Sequence, residues 1–343
     1  RKRPSYKSKK GVNILDTLYL KVDALKPEIE QINKAVALLK KGELVAFPTE
    51  TVYGVGATIF NPDSVQEIYK VKNRPFNNPL LVHISNIEQV QIVSVNIPLL
   101  AYKLMEKFWP GPLSLILPAS DKVPSIVTAG QKNVGLRMPS HKVSIELINR
   151  SGPLAATSAN LSNRPSPTTA KHVQDDLDGK IAAIIDAGPT GVGLESTIID
   201  FTCKVPKVLR LGGMALEEIE ETISMKLEYT EKSNQSAYQG NTKILLSNDG
   251  ESFILQVLEL INSEKKVGVV YNNHTPKQTI KNVAKEYYLN INNPGADFFA
   301  LLRDAETEKL DVLVFAPFPK DLTNINKALL DRIHKAVNTN YHS

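Results

Sequence analysis

Between residues 70 and 83 the chain reads Lys70-Val71-Lys72-Asn73-Arg74-Pro75, then Asn78-Pro79, then His83. Three cations fall within five residues, and a proline fixes the backbone after the last. Lysine and arginine in such a knot suit a polyanion, most simply a nucleoside triphosphate. Lys72 and Arg74 are two apart, so an extended segment points both the same way. Pro75 biases Arg74 toward that geometry. A solvated charged turn has the same composition. His83 lies inside the apolar run Leu80–Ile84, where a histidine is more often a satisfied core residue than a catalytic one.

Other segments add hydroxyls, small residues and single arginines. In Phe47-Pro48-Thr49-Glu50-Thr51-Val52-Tyr53-Gly54-Val55-Gly56 a strand ends at proline, two hydroxyls follow, and two glycines allow close backbone approach. A ligand loop and a turn whose threonines bond their own backbone fit these residues equally. Arg137 stands among apolar neighbours and needs an anionic partner, from the protein or from a ligand. Ala156-Thr157-Ser158-Ala159-Asn160 leaves room for a ligand at a strand end, with Asn160 as a cap. Ser166 sits between two prolines, and Arg210 ends a later strand. Phe108-Trp109-Pro110-Gly111-Pro112 reads as a rigid corner. The Gly-rich stretch 188–193 leads into a strand and so lacks the setting of a dinucleotide fingerprint. No Ser/His/Asp triad order, zinc-ligand spacing or Walker loop occurs. Cations, hydroxyls and small residues at strand ends position and neutralise anionic substrates instead of attacking them.

Composition narrows the setting. The chain has 343 residues, enough for two domains, with 42% hydrophobic and 22% charged residues. No apolar run reaches the eighteen or so residues of a membrane span. One cysteine, Cys203, excludes internal disulfides and cysteine-based zinc sites, and a reducing, cytoplasmic location is expected. The net charge of +5 is concentrated: residues 1–10 hold six Lys/Arg and no acid, leaving 35 basic against 36 acidic residues elsewhere. A flexible solubilising arm over 1–12 is favoured over an RNA-binding or targeting tail.

These residues need elements to hold them. Helical spacing predicts helices at 28–41, 62–71, 98–108, 143–149, 170–177 and 215–227. Short apolar runs predict strands at 44–47, 80–84, 113–117, 181–186 and 197–201. They do not alternate strictly, so a mixed sheet is expected over about 13–225. Residues 228–241 are polar and aperiodic, a linker. Beyond it come a strand at 243–246, a helix at 251–262, a strand at 267–271, helices near 276–286 and 295–307, a strand at 311–316 and a helix at 323–337. That is the pattern of a small doubly wound domain.

Seven segments together resemble the threonylcarbamoyl-AMP synthase family, with its YrdC-like fold. They are FPTETVYGVGA (47–57), KNRPFNNPLLVHI (72–84), FWPGPLSLIL (108–117), TAG with LRMP (128–130 and 136–139), TSANLSNRPSPT (157–168), ESTIID (195–200) and LRLG (209–212). The resemblance implies an α/β fold in which a YrdC-like catalytic domain with a twisted mixed sheet (13–227) is followed by the linker (228–241) and a smaller Rossmann-like domain (242–343). It implies a nucleotidyltransferase. Threonine and bicarbonate form a carbamate, which attacks the α-phosphate of ATP with Mg2+ present and releases pyrophosphate. A partner transferase then passes the threonylcarbamoyl group to adenosine beside the anticodon of tRNA; direct contact with tRNA is left open.

Carried over by position, Thr51, His83, Arg137, Ala156 and Ser196 hold threonine and the carboxyl group built on it. Lys72, Arg74, Asn78, Asn133, Ser158, Ser166, Arg210 and Tyr238 surround ATP, with Lys72 and Arg74 as the catalytic pair. Asn133 stands where the family usually has a hydroxyl residue. The family's long form carries Lys-x-x-His-Tyr-x-Pro in the linker as a lid; here Ser236–Gly240 keeps only Tyr238. Asp331-Arg332 replaces the usual Asn-Arg of the last helix. The alternatives are a carbamoyl transferase, disfavoured by length and the single cysteine, and a non-catalytic RNA-binding or regulatory protein, suggested by the basic arm and the altered linker.

Overall fold

Small side chains at the centre of the main sheet explain how it closes up. Strand β5 (Gly54–Thr58) pairs antiparallel with β9 (Leu154–Ser158), setting Gly54 opposite Ser158 and Gly56 opposite Ala156. A Cβ on Gly56 would lie 3.1 Å from the Ala155 carbonyl and 3.2 Å from the Phe47 ring. The neighbouring strand and the Phe47 ring leave a side chain there little room. The sequence suggests a loop after Pro48, but from Gly54 the chain is a central strand.

The structure is a computed structural model that describes residues 6–7, 13–14, 16–229, 238, 240–275, 277, 279–290, 294–319, 322 and 325–339. Most of the basic arm, and linker residues 230–237 and 239, lie outside that set. Strands β1 (Tyr6–Lys7) and β2 (Asn13–Ile14) pair antiparallel. The further strands of the first region are β3 (Leu18–Lys21), β4 (Val45–Phe47), β6 (Leu81–His83), β7 (Leu113–Pro118), β8 (Asn133–Arg137), β10 (Ala183–Asp186), β11 (Thr197–Asp200), β12 (Lys207–Arg210) and β13 (Glu228–Tyr229). With β5 and β9 they form one sheet in the order β13-β12-β11-β7-β8-β6-β9-β5-β4-β10-β3. Pairings are mixed: β6–β8 and β7–β11 are parallel, β6–β9 and β7–β8 antiparallel.

Helices α1 (Ile29–Lys40), α2 (Pro62–Lys72), α3 (Val90–Val93), α4 (Leu99–Phe108), α5 (Lys142–Ser151), α6 (Ala170–Leu177) and α7 (Leu216–Ile223) cover the sheet. Helix α2 starts on a proline, capped by the Asn61 side chain, as Pro at the first turn allows. Helix α7 is shorter than expected, because Ser224 takes a left-handed conformation (φ 52°) and ends it.

The second region holds a four-stranded all-parallel sheet, β14 (Lys243–Leu246), β17 (Val312–Phe315), β15 (Val267–Asn272) and β16 (Lys285–Leu289), in that spatial order. Alternate residues go to opposite faces. Val270, Leu313 and Phe315 pack under α9 (Pro294–Thr307) and α10 (Ile325–Thr339), while Val269, Tyr271 and Val314 pack under α8 (Gly250–Asn262). Helices on both faces make the domain doubly wound. The helix expected near 276–286 is absent: residues 279–284 are turn and coil, and 285–289 form β16. Tyr287 and Tyr288 favour strand, and the alternating exposure of 285–289 is that of an edge strand.

The two regions share a core. Val52 and Leu194 of the first pack into the α9–α10 cluster of the second. Gly295, at the start of α9, lies against the main chain of residues 192–194, where any Cβ would collide. Among the described residues no helix is long and apolar enough to cross a membrane.

Candidate active site

Alternation along the strands builds the floor of the main cavity, which has a volume of about 870 Å3. Leu81 and His83 on β6, Gly135 and Arg137 on β8, and Ala156 and Ser158 on β9 point into it. Their neighbours Val82, Leu136 and Ala155 point the other way, into the core. Ser196 and Ile198 repeat the pattern at β11. The site therefore lies along a sheet face, and not at the strand ends that the sequence suggests.

One end of this face is a buried arginine centre. Arg137 is paired with His83 across β6–β8 and is 4% exposed. Its Nη2 lies 2.7 Å from Glu50 Oε1, its Nη1 donates to Thr51 Oγ1 at 2.8 Å, and its Nε to the Gly111 carbonyl at 3.3 Å. The anionic partner Arg137 needs is thus Glu50. Thr49 and Thr51 share a hydroxyl contact of 2.8 Å, so these threonines both brace the turn and face the cavity. Ser196 Oγ is 2.7 Å from Ser114 Oγ and accepts from Arg210 Nη2 at 3.0 Å. Ala156, with no side chain beyond Cβ, leaves space between them and His83. Burial, helped by the Arg137 charge, pushes the His83 imidazole down to about 3. It is neutral at working pH, and its Nδ1 has no hydrogen-bond partner among the described residues.

The other end is shaped by the close of α2. Asn73 adopts a left-handed conformation (φ 52°), so the chain turns sharply between Lys72 and Arg74. Arg74 lines the cavity, donating through Nε to the Asn78 carbonyl at 3.0 Å and through Nη2 to the Pro79 carbonyl at 2.8 Å. Lys72, 1% exposed, goes the other way. Its ammonium donates to the carbonyls of Ser158 and Asn160, and it is not among the residues lining the cavity. Burial, then the Arg74 charge, pushes its pKa well below the usual lysine value. The extended segment expected to aim both cations alike is a helix end, and the two diverge. Lys70 pairs with Glu67 at 2.6 Å on the surface. Asn78, Ser158 and Asn133 line this end, Asn133 donating to Thr202 Oγ1 at 3.2 Å.

The second domain supplies a wall. Phe298, Leu302 and Arg332 line the cavity, as does Tyr238, which donates to Glu306 at 2.9 Å. Ser166 donates to Glu195 Oε1 at 2.7 Å, and Arg332 Nε meets Glu195 Oε2 at 3.2 Å. Burial would raise the Glu195 carboxyl; the Arg332 and Arg210 guanidiniums and the Ser166 hydroxyl outweigh it and hold the carboxyl down to about 2. Twelve of the thirteen residues singled out from the sequence thus line one cavity, Lys72 being the exception. Sequence reasoning missed Glu50, although it stands between the two threonines, and the bracing role of Glu195, although it heads the ESTIID segment. The available signal was a carboxylate next to a hydroxyl in each.

Comparison with known proteins agrees with this architecture. A family described as "Telomere recombination" (Sua5/YciO/YrdC) matches residues 37–212, and one described as "Threonylcarbamoyl-AMP synthase, C-terminal domain" matches 215–337. The threonylcarbamoyl-AMP synthase of Bacillus subtilis is 37% identical over 343 residues, covering 92% of this chain and 95% of the relative. That of Schizosaccharomyces pombe is 37% identical, covering 85% and 84%. The crystal structure of Pyrococcus abyssi Sua5 complexed with L-threonine is similar with a TM-score of 0.85 and 34% identity, over 94% of this chain and 98% of that one. These near full-length likenesses to enzymes support neither the RNA-binding nor the carbamoyl-transferase alternative. The chain belongs to the threonylcarbamoyl-AMP synthase family.

Proposed function

We propose that this enzyme makes threonylcarbamoyl-AMP from L-threonine, bicarbonate and ATP, releasing pyrophosphate and water. The observation that carries the reading is the single cavity that holds the Arg137 centre at one end and Arg74, Ser158 and Ser166 at the other. Threonine's amine and bicarbonate form a carbamate with loss of water. A carbamate oxygen then attacks the α-phosphorus, and the bond to the leaving pyrophosphate breaks.

Arg137 and Thr51 orient the amino acid's carboxylate and hydroxyl. The neutral His83 accepts or donates a hydrogen bond without adding a charge. Arg74 and Arg210 offset the charge that builds on the phosphates, from guanidiniums already fixed by protein carbonyls. No protein nucleophile is needed, since the residues only position and neutralise. Among the described residues no cluster of three or more His, Cys, Asp or Glu is placed to hold a metal ion. Glu50 and Glu195 are each taken up by arginines. In this reading Mg2+ enters with the triphosphate as part of the substrate, held mainly by phosphate oxygens. The second-domain wall keeps water from the mixed anhydride.

We place the enzyme in the cytoplasm, consistent with its free, exposed Cys203, beside a transferase that moves the threonylcarbamoyl group to tRNA. Pyrophosphate release from ATP and Mg2+ tests the reaction. It should require both threonine and bicarbonate; release indifferent to threonine would refute the reading.

A further inference from the structure

The loop from Ala159 to Ser166, which follows β9, has no regular secondary structure, yet nearly every turn of its backbone is pinned. Lys72 holds the carbonyls of Ser158 and Asn160, and its own carbonyl accepts from Ser162 N at 2.9 Å. Asn160 Nδ2 holds the carbonyls of Leu161 and Arg164, each at 2.8 Å. The remaining pins come from one buried carboxylate and one buried arginine. Asp176, on α6, has no exposed side-chain surface. It accepts from Leu161 N at 3.3 Å and from Arg164 Nη1 at 2.5 Å. Arg303, on α9 of the second domain, reaches it with both terminal nitrogens, at 3.2 and 2.9 Å, and gives a further bond of 2.5 Å to the Pro165 carbonyl. Neither residue lines the cavity.

We infer that Asp176 and Arg303 are positioning residues for the nucleotide half of the reaction. The pair fixes loop 161–165, and so Ser166, from the second domain, making that domain a standing wall of the nucleotide site. The inference rests on the proposed reaction for the identity of the ligand at this end. Two features separate it from ordinary domain glue. Both residues bond the main chain of the loop as well as each other, so losing either loosens its second half, where Lys72 makes no bond. The pins also lie on one end of the cavity only. The Arg137–Glu50–Thr51 centre shares no hydrogen bond with them, so a disturbance at Asp176 should reach the nucleotide and not the amino acid.

The test uses the full chain with Arg303→Met, Asp176→Asn, the double variant and Arg303→Lys, which retains the charge but not the planar fork. Wild-type turnover with threonine and bicarbonate first establishes the reaction, and direct binding of a non-hydrolysable ATP analogue is then read for each variant. The expected result is at least a tenfold weakening of analogue binding and rise in the KM for ATP. The KM for threonine should stay within twofold. The double variant should be no worse than either single, because the pair acts as a unit. Arg303→Lys, the variant least disturbed in folding, should fall between. Analogue binding unchanged in Arg303→Lys and Arg303→Met, or equal losses for ATP and threonine, would overturn the inference. Absence of wild-type turnover with intact, variant-sensitive analogue binding would instead count against the reaction alone.

Discussion

Replacing Arg137 with methionine separates stability from binding at the end of the cavity that the proposed function assigns to the amino acid. The guanidinium is 4% exposed and its partner Glu50 14% exposed, 2.7 Å apart. Methionine leaves Glu50 with one donor among the described residues, the Ser140 amide at 3.1 Å. Breaking a buried ion pair from one side costs about 3–5 kcal/mol, because the other charge stays desolvated. Since Glu50 keeps some solvent contact, the lower end, about 3 kcal/mol, applies here. For a domain of this size that is a fall in melting temperature of about 6–12 °C. Glu50→Gln alone should cost a similar amount by stranding Arg137. The double variant Arg137→Met/Glu50→Gln carries no buried charge, and its glutamine still accepts from Ser140. Its melting temperature should return to within a few degrees of wild type, so the coupling energy is about 5 kcal/mol, the two single costs less the small residual cost of the double. Threonine binding should stay lost in that double variant, because the cation assigned to the carboxylate is gone and Arg210 stays tied to Ser196. Four thermal melts and four threonine titrations decide the matter. Strictly additive single costs would refute the ion pair, and restored threonine affinity in the double variant would refute the assigned role of Arg137.

The other predictions concern titration. The Glu195 carboxyl, held at about 2 in the folded chain, lies below its unfolded value of about 4.3. Its contribution to stability is therefore complete above the unfolded value and is lost as pH falls toward the folded one. Urea midpoints measured from about pH 6 to 2 should show this acid limb, and Glu195→Gln should flatten it; an identical slope in the variant would rule the carboxylate out as its source. His83, at about 3, should show neutral-ring chemical shifts by NMR down to about pH 4. A midpoint near the ordinary histidine value of about 6.5 would mean that the ring is solvated, not buried beside Arg137.

Helical periodicity was the most legible signal in the sequence. Helix α6 occupies 170–177 as its spacing predicts, α2 and α4 differ from expectation by a residue at one end, and α1 by a residue at each end. Strands rich in branched residues, such as β11, were equally plain. Strand β5 was not, because Gly54 and Gly56 have poor strand propensity and are strand residues only through their fit against Ala156 and Phe47. The misread stretch near 276–286 shows the same limit. Its pairing with β15, not its own pattern, decides that 285–289 is a strand. The buried braces Asp176 and Arg303 were invisible for a related reason. Their partners lie 127 residues apart in the chain, and nothing local marks either one.

The divergence of Lys72 and Arg74 changes how the site's electrostatics are understood. From sequence, two cations two residues apart form a joint grip on phosphate. In the fold, the left-handed Asn73 sends Lys72 beneath the Ser158–Asn160 carbonyls and Arg74 to the cavity. Lysine suits the hidden position, since one compact ammonium satisfies two converging carbonyls. Arginine suits the cavity side, where its planar fork can be anchored by Asn78 and Pro79 and still present a face to substrate. Arg137, Arg210 and Arg332 follow the same plan, each tied to a protein oxygen as well as lining the cavity. Positive charge is thus fixed by the protein itself, and in the proposed reaction little reorganisation is left when the triphosphate binds. A site with flexible lysines in those places would carry the same net charge and be a weaker catalyst.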